Sequence, residues 1–190
     1  PYIVMELVEG LPLDRHCGQA RLDLRARLDL FLELCEAVSY AHARLVVHRD
    51  LKPGNVLVDA AGRPRLLDFG IARLLEPGPG EHATETGLRP MTPEFASPEQ
   101  VRGEPTTVAT DVHALGLLLH LMLTGRRPFR LRSTSAVELV QVVCLQEPPA
   151  PSLAARGQVP EEARAFEPVE PPERLARLLR GDLDAIVARA

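Results

Sequence analysis

Apolar residues along this chain change their spacing several times, and each change marks an element. Tyr2 to Val8 is almost continuously apolar and stops at Glu9-Gly10, which predicts a short buried strand closed by a turn. Between Asp23 and Ala43, residues Leu24, Leu28, Phe31, Cys35 and Val38 recur at steps of four and three, so they share one face of a helix. Leu34, Ala37 and Ala41 widen that face, which predicts a well-buried helix. Val46-Val47 is a short extended piece. Val56-Leu57-Val58 and Arg65-Leu66-Leu67 flank Asp59-Ala60-Ala61-Gly62, the pattern of a hairpin with a four-residue turn. From Leu75 to Thr92 no apolar period survives, and a loop of that length inside a domain is commonly functional. Asp111 to Thr124 is apolar nearly all round, so this helix belongs at the centre of the fold, with Asp111 as a first-turn or cap residue and Gly125 as its stop. Ser135 to Gln146 is a further amphipathic helix. Residues 148–172 hold seven of the 18 prolines and read as a surface linker. A last helix begins near Asp182, and both ends of the chain read as cut within an element.

Composition narrows the classes. With 45% hydrophobic and 25% charged residues, the 190-residue chain has the makeup of one soluble core, which excludes wholesale disorder and collagen-like or coiled-coil designs. A net charge of −4 gives no support for nucleic-acid binding. Cys17, Cys35 and Cys144 have no metal-ligand or disulfide spacing, so a reducing, cytoplasmic setting is expected, with Cys35 a buried, inert thiol. The longest apolar stretch, Ala114 to Leu123, is too short to span a bilayer, and the first residues carry no basic leader; anchoring of a longer parent stays open. Of 22 basic residues, 21 are arginine and one is Lys52, so chemistry that needs two lysines is excluded.

The chemistry-bearing stretch runs from His48 to Gly70: HRDLKPGNVLV, nine residues, then DFG. An acid (Asp50), a cation (Lys52) and an amide (Asn55) occupy one short loop that enters the first hairpin strand, and Asp68 follows the returning strand. A hairpin joins its two ends, so Asp50, Asn55 and Asp68 converge. Two oxygen ligands beside a cation suit a hard divalent metal with phosphates. Asp50 is then left to orient a nucleophile, and phosphoryl transfer asks for little more than positioning and charge neutralisation.

HRDLKPGN followed by DFG resembles the catalytic and metal loops of protein kinases. Ser97 to Gln100 (SPEQ) looks like the end of a kinase activation segment, DVHALG from Asp111 like the start of the central large-lobe helix, and TGRRPF like its end. YIVMELVEG is similar to the last small-lobe strand and the hinge, and GDLDAIV resembles bacterial Ser/Thr kinases, especially those carrying tetratricopeptide repeats. The resemblance implies an α+β fold: a mainly α-helical kinase C-terminal lobe with a small β-hairpin at the catalytic loop, and no N-terminal lobe. Residues 1–10 would be the last small-lobe strand and hinge, and 11–190 a large lobe truncated before its last helix. It implies a protein serine/threonine kinase using ATP with Mg²⁺ (or Mn²⁺). In that scheme Asp50 orients the substrate hydroxyl, Lys52 steadies the γ-phosphate, and Asn55 and Asp68 hold the metal. Leu57 floors the adenine, Met5 is the gatekeeper, and the backbones of Glu6 and Val8 bond the base. Thr92 braces Asp50 and Lys52, while Phe69, Gly70, Glu99 and Asp111 are structural. Arg49 pairs with an activation-loop phosphate, for which Thr84 and Thr86 are candidate acceptors. Lysine two positions after Asp50 favours Ser/Thr over Tyr substrates.

Departures matter as much. A kinase small lobe supplies a glycine-rich loop and an ATP-binding lysine. The chain has no G-x-G-x-x-G, and Lys52 is already used, so the polypeptide alone is expected to be inactive until joined by its small lobe, its implied partner beside ATP and protein substrates. The rival readings are a non-catalytic kinase-like interaction module or inactive truncated product, and a phosphotransferase of the aminoglycoside type, against which Arg49, Lys52 and Ser97-Pro98-Glu99 argue. Glu99 would lack the arginine that usually pairs with it, an expected unpaired acid. His113 and His120 read as packing residues, and Arg126, Arg127, Arg130 and Arg132 as a solvated basic rim at a helix C-terminus.

Overall fold

A computed structural model describes residues 6–68, 93–129, 131, 133, 135–157 and 164–190. Two helices carry the fold. The first long helix, α2 (Leu24–His42), begins where Asp23 accepts a hydrogen bond from the Ala26 N–H at 2.8 Å. It follows a short strand, β1 (Leu11–Pro12), and a short helix, α1 (Leu13–Gln19). The widened apolar face of α2 serves two clusters at once. Leu30, Leu34 and Val38 enter one core with Leu13, Leu51, Val56, Phe95 and Met122, while Leu24, Leu28 and Phe31 pack on a second around Leu119, Leu123, Leu175 and Leu179.

After β2 (Val56–Val58), β3 (Pro64–Leu66) and the short α3 (Pro98–Arg102), the central helix α4 (Val108–Thr124) joins both clusters. Leu117, Leu118 and Leu121 face the first and Leu119 and Leu123 the second, which is why it is apolar all round. Gly125 ends it at φ 68°, and a Cβ there would strike the Phe166 carbonyl oxygen, so both the turn and the close approach require glycine. The last carbonyls of α4 are met by a buried arginine. Arg27, 1% exposed, donates to the Met122 and Leu123 oxygens at 2.8 and 3.0 Å and pairs with Glu170 at 2.6 Å. A cation at the negative end of the helix dipole, hydrogen-bonded and paired, is a charge that tolerates burial. Glu170 also accepts the Leu24 N–H at 2.6 Å, so one acid caps α2 and neutralises Arg27.

The sheet is small, ordered β1-β2-β3 and antiparallel, with Leu11 opposite Val58 and Val56 opposite Leu66. The chain crosses β2 so closely at Gly10 that a Cβ would lie 2.6 Å from the Val58 carbonyl oxygen. The remaining elements are α5 (Ala136–Leu139), which continues as a π-helical turn over Val140–Cys144, and three helices, α6 (Pro151–Ala154), α7 (Pro172–Leu179) and α8 (Asp182–Arg189). Ser152 in α6 and Asp184 in α8 join these by two hydrogen bonds of 2.9 and 2.7 Å.

Several expectations change. Tyr2 to Met5 lie outside the described residues, and Glu6, Leu7 and Val8 form no strand; the pairing falls instead on Leu11–Pro12. The cap of α4 is Thr107, whose hydroxyl accepts from the Ala109 N–H at 3.2 Å, so of the two places expected for Asp111 it takes the one in the first turn. The returning hairpin strand is shifted by one residue, to Pro64–Leu66. The proline-rich linker contains α6 and the start of α7. Arg126 and Arg127 are not a solvated rim: Arg126 donates to the Gly157 carbonyl and Arg127 pairs with Glu94. Arg130 and Arg132 lie outside the described residues.

Candidate active site

Three elements meet at the predicted site: the loop from His48 to Asn55, the hairpin that follows it, and the start of α4. The loop is held from beneath by Asp111, which is 1% exposed on an otherwise apolar helix. Its Oδ2 accepts the His48 N–H at 2.7 Å and its Oδ1 the Arg49 N–H at 2.8 Å, while His42 Nε2 lies 2.8 Å from Oδ2. A buried carboxylate needs such donors, and here the backbone of the His48–Asn55 loop supplies them. Asp111 is therefore a structural residue of the site rather than a helix cap.

His48 ties the loop to the hairpin. Its Nε2 lies 2.8 Å from the Leu67 carbonyl oxygen, so it donates there, and Nδ1 is left to accept the Asp50 N–H at 3.4 Å. Burial pushes the imidazole pKa below its ordinary value against the opposing pull of Asp111, in keeping with this neutral tautomer. The Leu67 N–H in turn donates to the Asn55 carbonyl at 2.9 Å, which sets Asp68 beside the loop. Asp68 is exposed and sits at φ 53°, a left-handed conformation that turns the chain out of the strand.

Within this frame two side chains converge on one oxygen. Asp50 Oδ2 lies 2.8 Å from Lys52 Nζ and 2.8 Å from Asn55 Nδ2, which also donates to the Asp50 carbonyl at 2.8 Å. Both donors hold Oδ2, and no hydrogen bond among the described residues claims Oδ1. Asn55 is 8% exposed; its amide nitrogen is consumed by Asp50, so Oδ1 is the end left for another partner. Asn55 Oδ1 and the Asp68 carboxylate are hard oxygen donors of the kind Mg²⁺ takes together with phosphate oxygens and water. Among the described residues no cluster of three or more His, Cys, Asp or Glu side chains could hold a metal, so a divalent ion here would depend on non-protein oxygens for the rest of its shell.

The other expected residues are placed as follows. Leu57 is half-buried in β2, Val8 half-buried and Glu6 exposed. Met5, Phe69, Gly70, Thr84, Thr86 and Thr92 lie outside the described residues. Arg49 sits at φ 70° with a buried Nε that has no hydrogen-bond partner among the described residues. Glu99 is not unpaired: Thr110 Oγ1 donates to it at 2.5 Å. Burial works to raise the Glu99 pKa, but the Thr110 hydroxyl, its own backbone N–H, Ser97 and the charge of His113 together hold it below the usual value. A cavity of about 250 Å³ opens beside Lys52, walled by Pro53, Phe95 and Leu121 with Asp14 and Arg127 on its lining. Sequence reasoning did not find Gln100, His42 or Asp14, which come to the loop only through the fold; a buried acid in an apolar helix was the one available signal, and it pointed to Asp111.

A family model described as protein kinase domain matches residues 1–168. The serine/threonine-protein kinase PknA of Mycobacterium tuberculosis is 38% identical over 151 residues, covering 79% of this chain and 34% of that protein. The serine/threonine-protein kinase PknB of the same organism is 31% identical over 191 residues, covering 100% of this chain and 27% of that protein. The chain thus spans about a third or less of the length of these relatives. Among the described residues no helix is long and apolar enough to cross a membrane.

Proposed function

The chain belongs to the protein kinase family, and from that premise we propose that it carries the phosphotransfer machinery of a serine/threonine-protein kinase. The single observation behind this reading is the shared contact on Asp50: Lys52 and Asn55 both grip Oδ2 at 2.8 Å, and no hydrogen bond among the described residues claims the other oxygen. In this reading residues 11–190 are the large lobe and residues 1–10 lead into it as the hinge, with Met5, Glu6, Val8 and Leu57 around the adenine of ATP.

A serine or threonine hydroxyl of a protein substrate hydrogen-bonds to Asp50 Oδ1. The hydroxyl oxygen attacks the γ-phosphorus in line, its bond to the ADP oxygen breaks, and the hydroxyl proton passes to Asp50. Lys52 lies against Asp50, where its ammonium both fixes the carboxylate and offsets charge on the γ-phosphoryl group. Asn55 and Asp68 hold Mg²⁺ or Mn²⁺, which when bound draws off negative charge from the phosphates. The cavity beside Lys52 gives the substrate polypeptide a place next to the reacting hydroxyl. Thr84 and Thr86 are candidate phosphate acceptors for Arg49, and Thr92 keeps the role that the family resemblance implies.

Transfer also requires a glycine-rich loop and a phosphate-binding lysine, which these 190 residues do not contain. The reading is therefore tested in a polypeptide in which this chain follows those parts. Asp50→Asn keeps the bonding to Lys52 and Asn55 nearly in shape but removes the base. Turnover is expected to fall by about 10²-fold or more while ATP affinity measured by calorimetry changes little. Turnover close to the parent would refute the role of Asp50.

A further inference from the structure

Arg49, the residue immediately before Asp50, stands in a left-handed conformation at φ 70°. For a residue with a side chain this conformation is strained, so something must hold it. On one side Asp111 takes the Arg49 N–H at 2.8 Å. On the other side the Arg49 carbonyl accepts a hydrogen bond from Gln100 Nε2 at 2.7 Å, across fifty-one positions of sequence. The same Gln100 amide turns its oxygen back to the Ser97 N–H at 3.0 Å, while Ser97 Oγ accepts the Gln100 N–H at 3.4 Å, closing the capping box of α3. Only one orientation of the amide satisfies both ends, oxygen to Ser97 and nitrogen to Arg49.

We propose that Gln100 is a positioning residue for phosphotransfer: its Nε2–H and the Asp111 carboxylate grip the Arg49 backbone from its two ends and fix the direction in which Asp50 leaves the loop. The inference rests on the reading of Asp50 as the group that orients the substrate hydroxyl. It extends that reading to a residue that touches neither ATP nor substrate. Because α3 ends the segment that precedes α4, Gln100 also makes the seating of that segment felt one residue from the reacting carboxylate.

The two halves of the amide can be separated by substitution. Gln100→Glu keeps the acceptor for Ser97, and so the cap, but sets an oxygen against the Arg49 carbonyl. Gln100→Lys keeps a donor for Arg49 and loses the side-chain acceptor for the Ser97 N–H, one of the two bonds of the capping box. Assayed in the active polypeptide described above, Gln100→Glu is expected to lower kcat about 10-fold or more with KM for ATP little changed and thermal stability close to the parent. Gln100→Lys is expected to retain most of kcat while melting earlier. In the 190-residue chain itself, amide exchange at Arg49 should speed up in Gln100→Glu while the amides of α3 keep their protection.

An unaltered kcat in Gln100→Glu, or kcat values that follow melting temperature across the two variants, would overturn the proposal. Should Gln100→Glu fail to fold, a Gln100→Lys variant as inactive as Gln100→Ala, which removes both ends of the amide, would do the same. Absence of phosphotransfer in the parent polypeptide would strike the reading of Asp50 instead, and unchanged Arg49 exchange would strike the grip alone.

Discussion

Leu45 ends α2 in a way that glycine usually does. It stands at φ 61° and is 95% exposed, its N–H bonded to the His42 oxygen at 2.9 Å and the Val46 N–H to the Ala41 oxygen at 3.1 Å. These are the paired bonds of a left-handed helix stop, with a leucine in the position that pays for its Cβ. Nothing packs on the side chain to offset that cost. Leu45→Gly is expected to stabilise the chain by about 1 kcal/mol, read as a higher urea midpoint with an unchanged slope. A lower midpoint would show that the leucine makes a contact worth more than its strain. Arg49 and Asp68 are also left-handed, at φ 70° and 53°, but Arg49 lies in the loop that holds Asp50, and Asp68 at the exit of the hairpin beside it, where the conformation directs the chain. The contrast separates strain that serves the site from strain that serves nothing visible.

At the scale of elements, α4 concentrates titratable groups shielded from water. Asp111 and His120 are buried on it and His113 is half-buried, and His48 is held against its first turn through Asp111. Burial is the leading cause that depresses all three histidine pKa values below 6.5; Asp111 and Asp50 oppose it at His48, Glu99 opposes it at His113, and the Pro149 and Arg126 carbonyls oppose it at His120. Below 6.5 the unfolded chain therefore binds more protons than the folded one, so stability is complete above that value and declines as pH falls through it. Urea midpoints are expected to drop between about pH 7.5 and about pH 5.5, and His120→Gln, which can still donate to the Pro149 oxygen, should flatten the drop. A midpoint independent of pH over that range would contradict the neutral, buried state of these rings.

The same scale explains what could be read from sequence. The two long helices were legible because their periodicity runs over many turns, and the contact of Lys52 and Asn55 with Asp50 because all three lie within one short loop. β1, α1 and α7 were not, since a two-residue strand and helices of seven and eight residues owe their existence to packing rather than local preference. Arg27, Glu170 and Gln100 were illegible for a related reason: each acts on a partner far along the chain.

Across the whole molecule, two apolar clusters share α2 and α4, and the site lies where the loop after α2 meets the start of α4. Asp111 and Gln100 hold that loop from two directions, and Arg27 closes the opposite end of α4. The lone lysine stands 2.8 Å from Asp50, where a compact ammonium rather than a planar guanidinium is needed, in a chain that uses arginine everywhere else. We propose that this arrangement transfers the γ-phosphate of ATP to serine and threonine hydroxyls of proteins. The deciding measurement is incubation of γ-labelled ATP and Mg²⁺ with the polypeptide that joins this chain to a glycine-rich loop and phosphate-binding lysine, with serine, threonine and tyrosine peptides and an aminoglycoside offered in parallel. Label is expected on phosphoserine and phosphothreonine and lost in the Asp50→Asn variant; label on tyrosine or the aminoglycoside alone, or on no acceptor, refutes the proposal.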